Sequence, residues 1–205
     1  MQDGSPRTNQ ARSDATRAAL IAAARKAFVE RGYAATGTPD IVESAGLTRG
    51  ALYHHFADKE ALFRAVVEAE SAAVAKEIEL APPAGASPVD ALIVGGEAFL
   101  AAMARHGRTR LLLVDAPAVL GRAVIDEIDA RHGARTLRDG LRAAMQAGRL
   151  RRLPLDVTAQ LLSSAFDRAA LSLENGGDPA AWRDALRALI EGLARPCGQA
   201  GQLGD

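Results

Sequence analysis

Residues 46–63 read GLTRGALYHHFADKEALF. Two short helical phrases meet there at a glycine, and the second carries Tyr53, His54 and His55 in a row beside Thr48 and Arg49. Neighbouring helix positions do not share a face, so a metal site made from both imidazoles is disfavoured. Working upstream, Thr38-Pro39 marks a helix start: a hydroxyl cap, then proline where its missing N–H costs nothing. That helix runs from Pro39 to Ala45 and stops at Gly46. The next is capped by Thr48 and ends near Phe56. Asp58 caps a fourth, which continues through AVVEAESAAVAKEIEL. Helices of about two turns are marginal alone in water. They persist only against a partner surface, and Ile41, Leu47, Leu52 and Phe56 are the apolar residues available for that.

Further upstream, Leu20, Ala24 and Phe28, with Ala23 and Ala27, recur at three- and four-residue spacing and predict one long helix. Ser13 or Asp14 is its expected cap, and Gly32 its expected end. Residues 1–12 hold Gly, Ser, Pro and polar residues without periodicity, which predicts a disordered tail. Downstream, APPAGASP at 81–88 reads as a linker. Helical pattern resumes from Val89 to about His106 and from Thr109 to Val114, where Asp115-Ala116-Pro117 interrupts it. Another stretch spans Arg122 to Ala147 and breaks at His132-Gly133. Asp156 is the expected cap of the next helix. Asn175-Gly176 followed by Asp178-Pro179 gives one helix end and one fresh start. The tail 197–205 is expected to be disordered.

Alanine, leucine, arginine and glutamate are good helix formers, and strand signals are nearly absent. The fold class is therefore all-α, with about nine helices. Lys+Arg and Asp+Glu balance at 25 each. No overall field draws the chain onto nucleic acid, so any such binding must come from local geometry. The single cysteine, Cys197, excludes a disulfide framework and a cysteine zinc site. No apolar run is long enough to span a bilayer, and the polar start is unlike a signal peptide. Together these place the chain in the cytoplasm and off the membrane. Phosphate loops, metal-ligand spacings and nucleophile elbows are missing, and Ser163-Ser164 lies mid-helix without a convincing partner. An enzyme is disfavoured, and neither metal nor cofactor is implied.

Two short helices crossing at a glycine-containing turn form a helix-turn-helix. The first helix of such a unit crosses the DNA backbone, and the second enters the major groove by its N-terminal residues. Thr48 then offers a hydroxyl and a backbone N–H to phosphate. Arg49 can fork onto a guanine edge or a phosphate. Gly50 lets the backbone approach. Tyr53 and His54 lie one turn on as neutral donors. Thr36, Thr38 and Lys59 flank the unit in similar roles, while His55 is open between a backbone contact and a packed position. Neutral donors of this kind make a strong basic excess unnecessary.

GYAATGTPDIVESAGLTRGALYHHFADKEALF, preceded by TRAALIAAARKAFVERG, resembles the TetR family of bacterial repressors over roughly residues 14–65. The Gly-Leu-Thr-Arg-Gly turn, the Leu-Tyr-x-His-Phe close and the Lys-Glu-x-Leu-Phe sequel occur in the family's order and spacing. Departures fall at Gly37, where a hydroxyl residue is frequent, and at Ala51, where a polar one is. The resemblance implies an N-terminal three-helix DNA-binding domain, 13–58. It also implies a larger helical ligand-binding and dimerisation domain, 59–196, and a homodimer made through the last two helices. Leu162, Phe166, Trp182, Leu186, Leu189 and Leu193 are the interface candidates it supplies, since periodicity alone leaves open whether they pack within or between subunits. An unidentified small-molecule effector and a pseudo-palindromic operator of double-stranded DNA are the implied partners. Met103, His106, Arg110, Asp115 and His132 lie on or beside apolar runs of the C-terminal half and are the candidate ligand contacts. The fourth helix, about 22 residues and roughly 33 Å long, is the natural lever between the halves. A helical DNA-binding architectural protein without an effector is the alternative.

Overall fold

The computed structural model describes residues 6–194. Its regular structure is helical; an isolated bridge between Leu150 and Ala194 is the single β-type pairing among the described residues. The chain forms two compact units. The first holds the residues up to Glu70 together with His106–Ile125, and the second holds Ser71–Arg105 together with the residues from Asp126 on.

In the first unit, α1 (Pro6–Ala35) begins well before the expected Ser13 or Asp14. Proline suits a first helical turn, and an i,i+4 hydrogen bond from Gln10 to Asp14 supports polar turns that carry no apolar stripe. Only residues 1–5 of the expected tail, and the whole of 197–205, lie outside the described residues. Leu20, Ala24 and Phe28 are buried, as their spacing predicts. Gly32, at φ 80°, kinks the helix before its last three residues. Next come α2 (Thr38–Ser44) and α3 (Arg49–His55), seven residues each. Gly46, at φ 65°, closes α2: its N–H donates to the Glu43 carbonyl, and the Leu47 N–H donates to that of Val42. That paired closure is the Schellman arrangement, which wants glycine at the left-handed position. Ile41, Leu52 and Phe56 are buried. At about 1.5–3 kcal/mol for each fully buried side chain, they outweigh the marginal stability of two-turn helices.

Helix α4 (Lys59–Leu80, 22 residues) starts where the Asp58 carboxylate accepts the Ala61 N–H at 2.7 Å. Its Phe63 ring meets Phe28 edge-on, with centroids 5.1 Å apart, and Tyr33 at 4.9 Å. Lys59 caps the group, its ammonium 4.2 Å from the Tyr33 ring centre. Burial pushes the Tyr33 phenol above its ordinary range, and the carboxylates of Glu60 and Asp58 add to that. The chain returns to this unit as α6 (Arg108–Arg110), a π-helical segment (Leu111–Asp115) and α7 (Ala116–Leu120). Here the predicted interruption at Asp115-Ala116-Pro117 is a widening of the helix instead. The Ala116 N–H reaches back five residues to the Leu111 carbonyl, and Pro117 falls in the first turn that follows, where it blocks nothing. Gly107 allows this return: a Cβ there would lie 2.3 Å from Cγ1 of Val29 on α1.

An ion triad ties the same elements. The Glu70 carboxylate takes Arg25 Nε at 2.9 Å on one oxygen and Arg108 Nε at 2.8 Å on the other. Arg108 is almost wholly buried. Burial alone would raise the Glu70 pKa, but the hydrogen bonds from Arg25 and then Arg108 outweigh it and hold the carboxyl below the usual range.

The second unit is built on α5 (Pro88–Met103), against which α9 (Gly133–Gln146), α10 (Leu155–Glu174) and α11 (Pro179–Leu193) all pack. The Ser87 hydroxyl caps α5 by accepting the Asp90 N–H, and Asp178 caps α11 by accepting that of Ala180. Helix α8 (Arg122–Arg131) is separated from α9 at His132, as the sequence indicates. Helix α10 starts at Leu155 with Pro154 at its cap, so Asp156 is a first-turn residue paired with Arg138 at 3.2 Å and not the cap expected of it. Leu92, Ile93, Leu100 and Met103 of α5, Leu141 of α9 and Ile190 of α11 form the core.

Removing one member of a nearly buried ion group leaves its partners uncompensated, at a cost of about 3–5 kcal/mol. Glu70→Gln is expected to lower unfolding free energy by an amount in that range. Because the folded pKa of Glu70 is depressed, its contribution is complete above the unfolded carboxyl value near about 4.3 and is lost as pH falls through the folded one. Denaturant unfolding at pH 7 and at decreasing acidic pH measures both. The gap between wild type and variant narrows on acidification, and a gap that widens contradicts the assignment.

Candidate nucleic-acid interface and C-terminal cavity

The face made by α2, α3 and the start of α4 holds most of the residues that the sequence singles out. Thr48 is the N-cap of α3, its hydroxyl accepting the Ala51 N–H at 3.2 Å. Arg49, Gly50, Tyr53 and His54 are exposed, Tyr53 at 47%. The Tyr53 phenol lies beside Thr38 of α2 and Arg49 of α3, and the pull of those groups holds its pKa below the ordinary tyrosine range. This cluster joins the two short helices at the surface and presents hydroxyl, phenol and guanidinium groups side by side. Asp40 of α2 pairs with Arg31 of α1 at 2.9 Å, so that arginine is engaged within the unit. His55 is half-buried, its ring edge-on to His54 at 5.2 Å and tilted on Phe56 at 6.4 Å.

Two candidates are placed otherwise. Thr36 is 1% exposed, and its hydroxyl donates to the Gly32 carbonyl at 2.7 Å and lies 3.1 Å from that of Ala27. It is tied to the kinked end of α1 and offers nothing to phosphate. Lys59 donates to the carbonyls of Tyr33 and Thr36 at 3.1 and 3.2 Å. Two of its three N–H groups therefore hold the end of α1.

A cavity of about 250 Å³ opens within the second unit. Ile78, Leu92, Phe99 and Phe166 form its apolar wall, and the bare backbone of Gly95 and Gly96 its floor. Glu79, Asp129, Arg135, Asp139 and Asp167 bring charge, and Thr136 and Ser163 hydroxyls. Gly96 is required by the ring beside it: a Cβ would fall 2.5 Å from Cζ of Phe166. None of the five candidate ligand contacts lines this space. Met103 is core, His106 is exposed, and Arg110 is an exposed partner of Asp115 at 3.6 Å. His132 precedes α9 as a helix-terminus residue. Proximity to an apolar run selected them, but the lining comes from α4, α5, α8, α9 and α10 together, and no local pattern reports such a convergence.

The interface candidates divide as well. Leu162, Phe166 and Leu186 are buried inside the single chain, so none of them is a free surface. Trp182 and Leu193 are half-buried, and Leu189 is 51% exposed. Sequence reading missed Val157 and Leu161 of α10, exposed at 57% and 69%. Their i,i+4 spacing was the available signal.

Residues 20–66 match the profile of bacterial regulatory proteins of the tetR family, and residues 89–196 match the tetracyclin repressor-like C-terminal domain. The chain belongs to the TetR family. Its fold is similar to a TetR-family transcriptional regulator of Pectobacterium atrosepticum, at 33% identity and a TM-score of 0.72, over 91% of this chain and 97% of that one. The A-factor receptor protein of Streptomyces griseus is 34% identical over 101 residues, 49% of this chain and 34% of that protein. The regulator TtgR of Pseudomonas putida is 51% identical over 53 residues, 26% of this chain and 25% of that protein. The match thus spans about a third or less of these two relatives. The helix-turn-helix is the DNA-binding element of a TetR-family transcriptional regulator. Among the described residues no helix is long and apolar enough to cross a membrane, and no group of three or more His, Cys, Asp or Glu could hold a metal ion.

Thr36→Val should cost about 1–3 kcal/mol of stability, because the buried hydroxyl's donation to the Gly32 carbonyl is lost, and should leave the salt dependence of DNA binding unchanged. Arg49→Ala should do the reverse: near-native stability, and a salt slope reduced by about one if Arg49 meets a phosphate. Unfolding curves and filter binding across a salt series separate the two.

Proposed function

We propose that the chain is a ligand-responsive transcriptional repressor that binds a pseudo-palindromic operator as a homodimer and is released by a small molecule. The observation that carries this reading is the coexistence of exposed Arg49 and Tyr53, beside half-buried Thr38, on the helix-turn-helix with an apolar-walled cavity in the other unit. A DNA-binding module alone needs no such cavity. Thr48, Arg49, Gly50, Tyr53 and His54 are the proposed DNA contacts, with Thr38 and His55 at their edge and the remaining N–H of Lys59 nearby. The site of action is the cytoplasm.

A two-fold dimer sets two reading helices about 34–36 Å apart, or a multiple, to match successive major grooves. Val157 and Leu161 of α10 and Leu189 of α11 are large apolar side chains in solvent on two helices that pack together. They replace Leu162, Phe166 and Leu186 in the proposed dimer face, with Trp182 and Leu193 retained. Helix α4 contributes Phe63 and Val66 to the core of the first unit, and Ile78 and Glu79 to the cavity of the second. A ligand that favours one position of α4 weakens DNA binding by its differential affinity, typically about 1–3 kcal/mol.

Selection of DNA fragments retained by the purified protein supplies the operator. Leu161→Asp with Leu189→Asp should then yield monomers in sedimentation velocity and weaken operator binding by about 100-fold, as paired half-sites are lost. A variant that stays dimeric refutes the assigned face. Monomeric wild type on and off DNA refutes the dimer itself.

A further inference from the structure

We propose that the cavity of the second unit takes a compact uncharged molecule of about two rings, bearing one hydroxyl or carbonyl group anchored on Ser163, and discriminates against ions of either sign. This rests on the reading of that cavity as the effector site and deepens it. Three observations converge on it.

The first is size and surface. A cavity of roughly 150 Å³ holds a single benzene ring. The present one, at about 250 Å³, takes two fused rings with a short substituent. Phe99 and Phe166 stand edge to face in its wall, their centroids 5.8 Å apart at 71°. Gly140 leaves room for Leu92, whose Cδ2 would lie 2.8 Å from a Cβ there. Such a wall rewards apolar surface on the guest.

The second is that the charged groups of the lining are already committed. Glu79 pairs with Arg135, and Asp139 pairs with both Arg135 and Arg142. The Asp129 carboxylate accepts the Ala134 N–H at 3.0 Å, and Asp167 is engaged as well. The side chains of Glu79, Arg135 and Asp139 are 46%, 46% and 48% exposed, so their mutual pairing is made in contact with solvent. A charged head group gives up hydration on entering an apolar space. It recovers that loss only by breaking a pair that the protein already makes. An ammonium and a carboxylate meet this obstacle alike, and an uncharged guest does not.

The third is one hydroxyl left open. Two hydroxyls line the cavity, and that of Thr136 donates to the Gly133 carbonyl at 2.7 Å. The hydroxyl of Ser164, next in sequence to Ser163, turns back to the Gln160 carbonyl at 2.9 Å. That of Ser163 makes no hydrogen bond among the described residues. A hydroxyl both donates and accepts, so Ser163 serves an alcohol, a phenol or a ketone equally. It stands three residues before Phe166 on α10, on the same face as that ring.

The test uses one skeleton with four substituents: 1-naphthylmethanol, 1-naphthylmethylamine, 1-naphthoic acid and 1-methylnaphthalene. Each is titrated calorimetrically into the full-length protein, and the same samples are followed for operator release. The alcohol is expected to bind at least about tenfold tighter than either the amine or the acid. Ser163→Ala should weaken the alcohol by about three- to tenfold, the loss of one hydrogen bond, and leave the hydrocarbon unchanged. Binding of either ion as tight as that of the alcohol overturns the proposal. So does the absence of alcohol binding up to about 1 mM. A Ser163→Ala loss that is equal for alcohol and hydrocarbon overturns the anchor. An ion that binds best and releases DNA overturns the ligand class and leaves the effector reading intact. An alcohol that binds with this selectivity but leaves the operator bound removes the effector reading and keeps the class.

Discussion

Two helices of seven residues cannot persist in water on their own. The DNA-reading surface exists because Ile41, Leu52 and Phe56 are buried beneath it. Everything on the outer face inherits its position from that contact. Thr38 of one helix and Arg49 of the other can flank the Tyr53 phenol only because the turn at Gly46 sets the crossing of α2 and α3.

The scaffold below is fastened twice. Apolar contact between Phe28, Tyr33 and Phe63 joins α1 to α4. Farther along α4, Glu70 gathers Arg25 and Arg108 and brings in α6. The aromatic contact is tolerant of small displacements, whereas the ion triad is directional and penalises them.

Much of this was legible in the sequence because it is local. Caps at Thr48, Asp58 and Asp178, the glycine at 46 and the stripe from Leu20 to Phe28 are each written within one or two turns of chain. Other features depend on partners far away in sequence. A threonine two residues before a helix reads the same whether its hydroxyl meets solvent or, as at Thr36, the carbonyl of Ala27. Lys59 looked like a surface cation because the carbonyls it holds lie at the far end of another helix. Periodicity marked α10 and α11 as amphipathic, but it could not say that Phe166 and Leu186 serve the subunit's own core while Leu161 and Leu189 face outward. The cavity is the extreme case, since five helices far apart in sequence together supply its wall. The return of residues 106–125 to the first unit is of the same kind: nothing in that stretch names α1 as its neighbour.

The chain's single tryptophan, Trp182, sits half-buried on α11, one turn before Leu186. Indole emission from this protein therefore originates wholly from the second unit. A change in its colour or intensity is a spectroscopic record of events on α11, and rearrangements confined to the DNA-reading surface leave it dark.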